Sequence, residues 1–255
     1  MNANAHDVSQ SDFAYRFGWG PDGLEALAPG CDVVVVVDVL RFTTAVSAAV
    51  EAGATVFPYR WRDESAAAYA AARAAVLAGR RELGEPSLSP TDLLRLEPAT
   101  RIVLPSPNGS TIAFVASKLD VPFVLAGSIR NATATARRAR ALAHRGAIGV
   151  IAAGERWGQL DGPLRPAVED LIGAGAVLAA LDPSGAASAP RSSPEALAAR
   201  AAFVAAKPSL EATLLACASG RELVRLGWDD DVRAAAELDT TRLAAQLVDD
   251  AFVGV

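Results

Sequence analysis

The residues best suited to chemistry lie where apolar runs stop. Asp32-Val-Val-Val-Val-Val-Asp38 ends in a carboxylate, and Asp38-Val-Leu-Arg41-Phe-Thr43-Thr44 sets a guanidinium three residues further on, followed by two hydroxyls. A carboxylate holds a hard cation through oxygen, a guanidinium forks two phosphate oxygens, and the N–H groups of a helix start attract anions. Asp38 and Arg41 are therefore candidate catalytic residues, with Arg41 and Thr43 as candidate phosphate contacts. The competing reading is an Asp–Arg pair that caps the helix. Ser106-Pro-Asn108-Gly109-Ser110-Thr111 is a hydroxyl- and amide-rich turn that opens a helix, with Gly109 free to point backbone N–H groups inward as an anion nest. It has no Walker A lysine, and a plain Asn-Gly turn is the competing reading. Ser128 and Asn131 repeat the polar theme after the next apolar run, where Asn131 serves equally well as a helix cap.

Two acidic groups complete the set. Glu155-Arg156 follows a strand and a glycine, and Glu169-Asp170 opens an Ala/Gly-rich helix. Adjacent helical residues point about 100° apart, so at most one of Glu169 and Asp170 faces a metal shared with Asp38. Surface acids at a helix start are the competing reading for that pair. Only two histidines are present, His6 in a polar tail and His144 on a basic helix, which argues against a histidine mechanism.

The elements that must position these residues follow from the same pattern. Residues 1–30 read as a loose terminus followed by turns or an edge strand, because Gly18, Gly20, Pro21, Gly23, Pro29 and Gly30 punctuate them. The valine run lacks polar alternation and predicts a central strand covered on both faces. A helix over 43–52 and a strand over 54–59 then make a βαβ unit, and an Ala-rich helix is expected over 63–79. Strand-like runs at 101–105, 122–126 and 147–153 each lead into a polar turn and a helix. This alternation predicts a three-layer α/β/α fold with a mostly parallel central sheet, whose ligand sits beyond the carboxyl ends of the strands. The expected division is an N-terminal extension or edge segment (1–30), an α/β core (31–182), and a more helical C-terminal part (183–255), entered through the loop 183–194 and packed on the core.

Composition narrows the function. The 255 residues are 51% hydrophobic and 21% charged, enough for a sizeable core and too apolar for wholesale disorder. A net charge of −5 argues against a nucleic-acid partner, since phosphate backbones reward a basic face. Cys31 and Cys217 lie far apart without CxxC spacing, so neither a zinc site nor a disulfide framework is indicated. With no basic, apolar leader and no apolar run near the roughly 20 residues of a membrane span, the reading is a cytoplasmic protein with no membrane partner. The oligomeric state, homo-oligomer included, stays open.

Taken in order, VVVVVDVLRFTTAV, PSPNGST, GSIRNA and AAGERW with EDLIGAG resemble the successive blocks of the 2-phosphosulfolactate phosphatase family, over roughly residues 31 to 182, and SGRELVRLGWDDDVRAAAELD resembles its closing segment more faintly. The resemblance implies Mg²⁺-dependent hydrolysis of a phosphate monoester on a small anionic acid, the phosphosulfolactate step of coenzyme M formation. For that reaction the residues assign Asp38, with Glu169 or Asp170 and waters, to the metal, since Mg²⁺ prefers few carboxylates and retains hydration. Arg41, Thr43, Ser106, Asn108, Gly109, Ser110, Ser128 and Arg156 then contact the substrate, and Asn131 or Glu155 orients water. Asp38 as ligand and Asp38 as nucleophile stay open. One stretch departs from the family: its Gly-Glu-Arg-Gly and Asn-Ser-Pro elements are replaced here by the altered Ala78–Pro90 loop, so the sulfonate specificity does not carry over with the phosphate corner. Two rivals remain. A haloacid-dehalogenase-like phosphatase expects Asp-x-Asp, where this chain reads Asp38-Val-Leu40, and a catalytically silent binding protein for an anionic metabolite fits the altered loop.

Overall fold

A computed structural model describes residues 8–61, 63–119, 121–158, 162–183 and 191–255; His6 and positions 184–190 of the expected linker lie outside the described residues. The valine run forms β2 (Cys31–Val37), and Val33 to Val37 have no solvent exposure. Successive strand residues face opposite sides, and here each side has its own helical cover. Val33, Val35 and Val37 pack with α6 (Ala132–Leu142), α7 (Val168–Leu181) and α8 (Pro194–Ala206). Val34 and Val36 pack with α1 (Gly20–Leu27) and α5 (Gly109–Ala116). A strand buried on both faces needs no polar alternation, so the apolar run and the three layers have one cause.

Nine strands make the main sheet, in the order β1-β7-β2-β6-β10-β11-β3-β5-β4. The first four are β1 (Tyr15–Trp19), β7 (Ala147–Ala152), β2 and β6 (Phe123–Gly127), all parallel. At the other end β3 (Thr55–Tyr59), β5 (Arg101–Pro105) and β4 (Val76–Leu77) form a second parallel block. Between the blocks lies an antiparallel hairpin of β10 (Ala245–Val248) and β11 (Ala251–Gly254). The sheet is mostly parallel, and Tyr15–Trp19 lies at its edge, one of the two readings left open for the N-terminal segment.

Three features differ from the sequence-based expectation. The β2–α2–β3 segment, with α2 spanning Phe42–Glu51, is not a βαβ unit: β3 pairs with β5 and, antiparallel, with β11. The Ala-rich segment makes only the short helix α3 (Ser65–Ala71) before Ala74 turns at φ 47° into β4, because pairing with β5 outweighs helix propensity there. The chain ends in the hairpin rather than in helix, after α9 (Leu210–Ala216), α10 (Ala218–Arg225) and α11 (Asp229–Ala236).

The hairpin reverses the sense of the sheet, so the two parallel blocks run in opposite directions. Their exits nonetheless meet, with the Gly109 N–H after β5 only 2.9 Å from the carboxylate of Asp38 after β2. The sheet therefore curls around α2, which touches β6, β10, β11 and β3. Phe42, Val46, Val56, Ile102, Leu104 and Phe252 fill the interior of that curl. No single helix among the described residues is long and apolar enough to cross a membrane.

Candidate active site

Asp38 ends β2, and the turn after it is locked by its own hydroxyls. The Asp38 N–H donates to Thr43 Oγ1, and that hydroxyl donates back to the Asp38 carbonyl, both at 2.9 Å. Thr44 Oγ1 donates to the Val39 carbonyl at 2.7 Å. Thr43 is fully buried, so it shapes the turn that aims Asp38. The carboxylate lies where two helices begin: Oδ1 accepts from the Phe42 N–H of α2 at 3.1 Å and Oδ2 from the Gly109 N–H of α5 at 2.9 Å. Helix starts carry partial positive charge and favour the carboxylate form. Burial opposes them, with Glu155 and Glu169 adding repulsion, and the net result pushes the Asp38 pKa up to about 7.

Three more acids crowd this corner. Asp170, in the first turn of α7, accepts from the Val39 N–H at 2.7 Å and from the Gly154 N–H at 2.8 Å, tying the exits of β2 and β7 together. Burial, then Asp38 and Glu169, raise its pKa well above the ordinary carboxylate range. Glu155, in the two-residue strand β8 (Glu155–Arg156), accepts from Asn108 Nδ2 at 3.1 Å, and its pKa is raised chiefly by burial. Glu169 is 2% exposed, and its Oε2 has no hydrogen-bond partner among the described residues. The Cys217 thiol, pushed up to about 12 by burial and by Glu169, stays protonated beside it.

Asp38, Asn108, Gly109, Glu155, Glu169 and Asp170, drawn from four separate strand exits and helix starts, thus meet at one place. The remaining candidates divide differently. Arg41 turns its guanidinium to Asp231 of α11, at 2.6 Å, and to the Trp228 ring, rather than to Asp38. Ser110 donates to the Tyr59 carbonyl at 2.7 Å and to the Ser106 carbonyl, so its hydroxyl holds the 106–110 turn. Asn131 is buried and occupied on both sides: its Oδ1 accepts from the Ser128 N–H at 2.8 Å, and its Nδ2 donates to the Ala126 carbonyl at 3.1 Å. Asn131 and Ser128 together form a helix cap. Arg156 donates to the Gly162 carbonyl at 3.3 Å beside β9 (Leu164–Arg165).

Arg81, Ser89, Thr91, Trp228 and Asp231 were not among the sequence candidates. Their surroundings stood out in the sequence only as the altered Ala78–Pro90 loop and the closing segment around Trp228-Asp229-Asp230-Asp231, neither of which gave these side chains a role.

The donor set here is oxygen-only and acidic, the chemistry a hard divalent cation prefers. Among the described residues no three such groups converge tightly enough to cage an ion, but Mg²⁺ asks for one or two carboxylates and retains water. The unpartnered Glu169 Oε2 and the repulsion stored between Asp38, Glu155 and Glu169 fit that demand.

The fold and the corner define a three-layer α/β protein with a buried acidic centre gathered from strand exits and helix starts. Within that class the chain belongs to the 2-phosphosulpholactate phosphatase family, whose profile matches residues 23–250. It is 36% identical over 152 residues to a probable 2-phosphosulfolactate phosphatase of Thermus thermophilus, a stretch covering 56% of this chain and 59% of that relative.

Proposed function

We propose that this chain is a Mg²⁺-dependent phosphatase that removes phosphate from the monoester of a small anionic acid, with 2-phospho-3-sulfolactate, giving 3-sulfolactate and phosphate, as the substrate. The family and the Thermus relative's name support the reaction type. The observation that carries the reading is the Asp38 carboxylate, buried at two converging helix starts and surrounded by Glu155 and Glu169, a concentration of negative charge that a cation relieves.

In this reading Asp38 and Glu169 hold Mg²⁺, which supplies charge neutralisation for the phosphoryl group. Glu169 is preferred over Asp170 because its Oε2 has no hydrogen-bond partner among the described residues, whereas both Asp170 oxygens tie the exits of β2 and β7 together; the Asp38 oxygens also accept backbone N–H groups, and each keeps a second lone pair for the ion. Arg41 binds phosphoryl oxygens together with backbone N–H groups at the start of α5, since the Asn108 amide, the Gly109 N–H and the Ser110 hydroxyl are already engaged. Glu155, aligned by Asn108, orients the attacking water, a role Asn131 is poorly placed to fill because its amide is used internally. Water adds to phosphorus, the bond from phosphorus to the ester oxygen breaks, and the proton leaving the water balances the one gained by the released hydroxyl. Such transfer depends mainly on positioning and electrostatics, which this corner's fixed dipoles favour. The protein would act in the cytoplasm, where its unpaired cysteines suit a reducing environment, and in coenzyme M formation.

Turnover of 2-phospho-3-sulfolactate and of simpler phosphate monoesters, with Mg²⁺ and after exhaustive chelation with EDTA, tests the proposal. Activity is expected with Mg²⁺, to be lost on chelation, and to return with Mg²⁺ or Mn²⁺. Full activity after chelation removes the metal from the mechanism. Ester binding without turnover under every condition favours a silent metabolite-binding protein instead.

A further inference from the structure

Asp231 is the fully buried third residue of α11. Its Oδ2 meets two guanidinium groups, Arg41 Nη1 at 2.6 Å and Arg81 Nη1 at 3.2 Å. Its Oδ1 accepts from Ser89 Oγ and, at 3.3 Å, from Thr91 Oγ1. Arg81 is also bound to Asp230 at 2.7 Å and lies 3.9 Å from Asp92. The Trp228 ring stands 4.8 Å from the Arg41 guanidinium carbon. Arg41, Arg81 and Trp228 all line a cleft of about 910 Å³. Three acids line the cleft, Asp63, Glu82 and Glu85, of which Asp63 and Glu85 accept from the backbone N–H groups of Ser65 and Arg80.

An arginine on a free turn samples many rotamers, and fixing them costs entropy at the moment of binding. Anchoring one Nη on a buried carboxylate, with a ring against the guanidinium plane, settles that cost at folding and leaves the other N–H donors in a set direction. A lone carboxylate partner would also cancel the charge that Arg41 offers to an anion. The second guanidinium on the same oxygen offsets this only in part, because Asp230 and Asp92 also balance Arg81, so what the anchor gives Arg41 is direction rather than surplus charge. Resting on the phosphate-ester reading of the site, we infer that Asp231, with Arg81 as its counter-charge and Trp228 as a wall, is a positioning residue that aims Arg41 at the phosphoryl group.

The test is a double-mutant cycle on binding of inorganic phosphate, measured by calorimetry with Mg²⁺ present, so that it does not depend on turnover. Asp231→Asn keeps the shape and removes the charge. It is expected to weaken phosphate binding about tenfold in the wild-type background and less than about twofold in Arg41→Ala, because the effect passes through Arg41. Equal weakening in both backgrounds, or none in either, overturns the inference, as does failure of the wild type to bind phosphate. Should Asp231→Asn not fold, Trp228→Leu carries the same expectation and the same overturning result. Coupled phosphate binding in a protein that hydrolyses no ester would leave this inference standing while the proposed function falls, and turnover without coupling would do the reverse.

Discussion

Opposing forces meet on the Asp38 side chain. The Phe42 and Gly109 N–H groups favour its ionised form, while burial and the facing acids favour the proton, and burial prevails. The ordinary value is 3.8 and the folded one about 7. In metal-free protein the folded chain therefore keeps a proton over a pH range in which the unfolded chain has lost it. The sign follows from linkage: this contribution to stability is full below about pH 4 and is lost as pH rises through about 7. In EDTA, the melting temperature of the wild type should fall relative to that of Asp38→Asn between about pH 4 and pH 8, by the equivalent of about 1.4 kcal/mol per pKa unit. A constant difference across that range would place the pH dependence elsewhere. With Mg²⁺ restored, the same variant should lose at least about a hundredfold in turnover while remaining folded; near-wild-type turnover would remove Asp38 from the chemistry.

At the scale of elements, the corner depends on how closely α5 approaches the exit of β2. A Cβ added to Gly109 would lie 2.5 Å from Phe42 Cδ1 and 2.7 Å from Asp38 Oδ2. Absence of a side chain at this position is thus a packing requirement, in addition to any nest geometry, and it lets the Gly109 N–H reach the carboxylate. Gly109→Ala should cost about 1–3 kcal/mol, the usual penalty for overpacking a tight contact, and lower turnover together with stability. Denaturant melts and steady-state kinetics on one preparation check this; wild-type values in both would mean that α5 shifts freely. The polar turn here was legible because Asn-Gly after an apolar run marks a strand exit. Its hydrogen bond to Asp38 was not, since 71 positions separate the two residues.

For the whole molecule, the β10–β11 hairpin is the joint between two parallel blocks of opposite sense. Phe252 carries much of that joint: it is fully buried, pairs with Val56 of β3, and sets its ring edge-on to Phe42 at 6.3 Å. Phe42 in turn supplies an N–H to Asp38, so the joint and the site share a residue. Phe252→Ala should cost about 3–5 kcal/mol, read as a lower denaturant midpoint at unchanged slope. A loss below about 1 kcal/mol would show that the two blocks hold together without the hairpin.

The amino-acid sequence by itself determined the elements that carry their own periodicity. The valine run reads as a doubly covered strand, and of the polar turns after apolar runs, those at Asp38, Asn108–Gly109 and Glu155 meet in the acidic corner, while Ser128–Asn131 caps a helix. Those signals are local, and they led to Asp38, Asn108, Gly109, Glu155 and the Glu169–Asp170 pair. Tertiary structure decided what depends on partners distant in the chain. The short hairpin strands declare themselves only by filling a gap between β6 and β3, and the Ala-rich segment yields to pairing with β5. The direction in which Arg41 points is set by Asp231, 190 positions later. Such choices follow from burial and charge balance in the assembled chain, which no window of neighbouring residues contains.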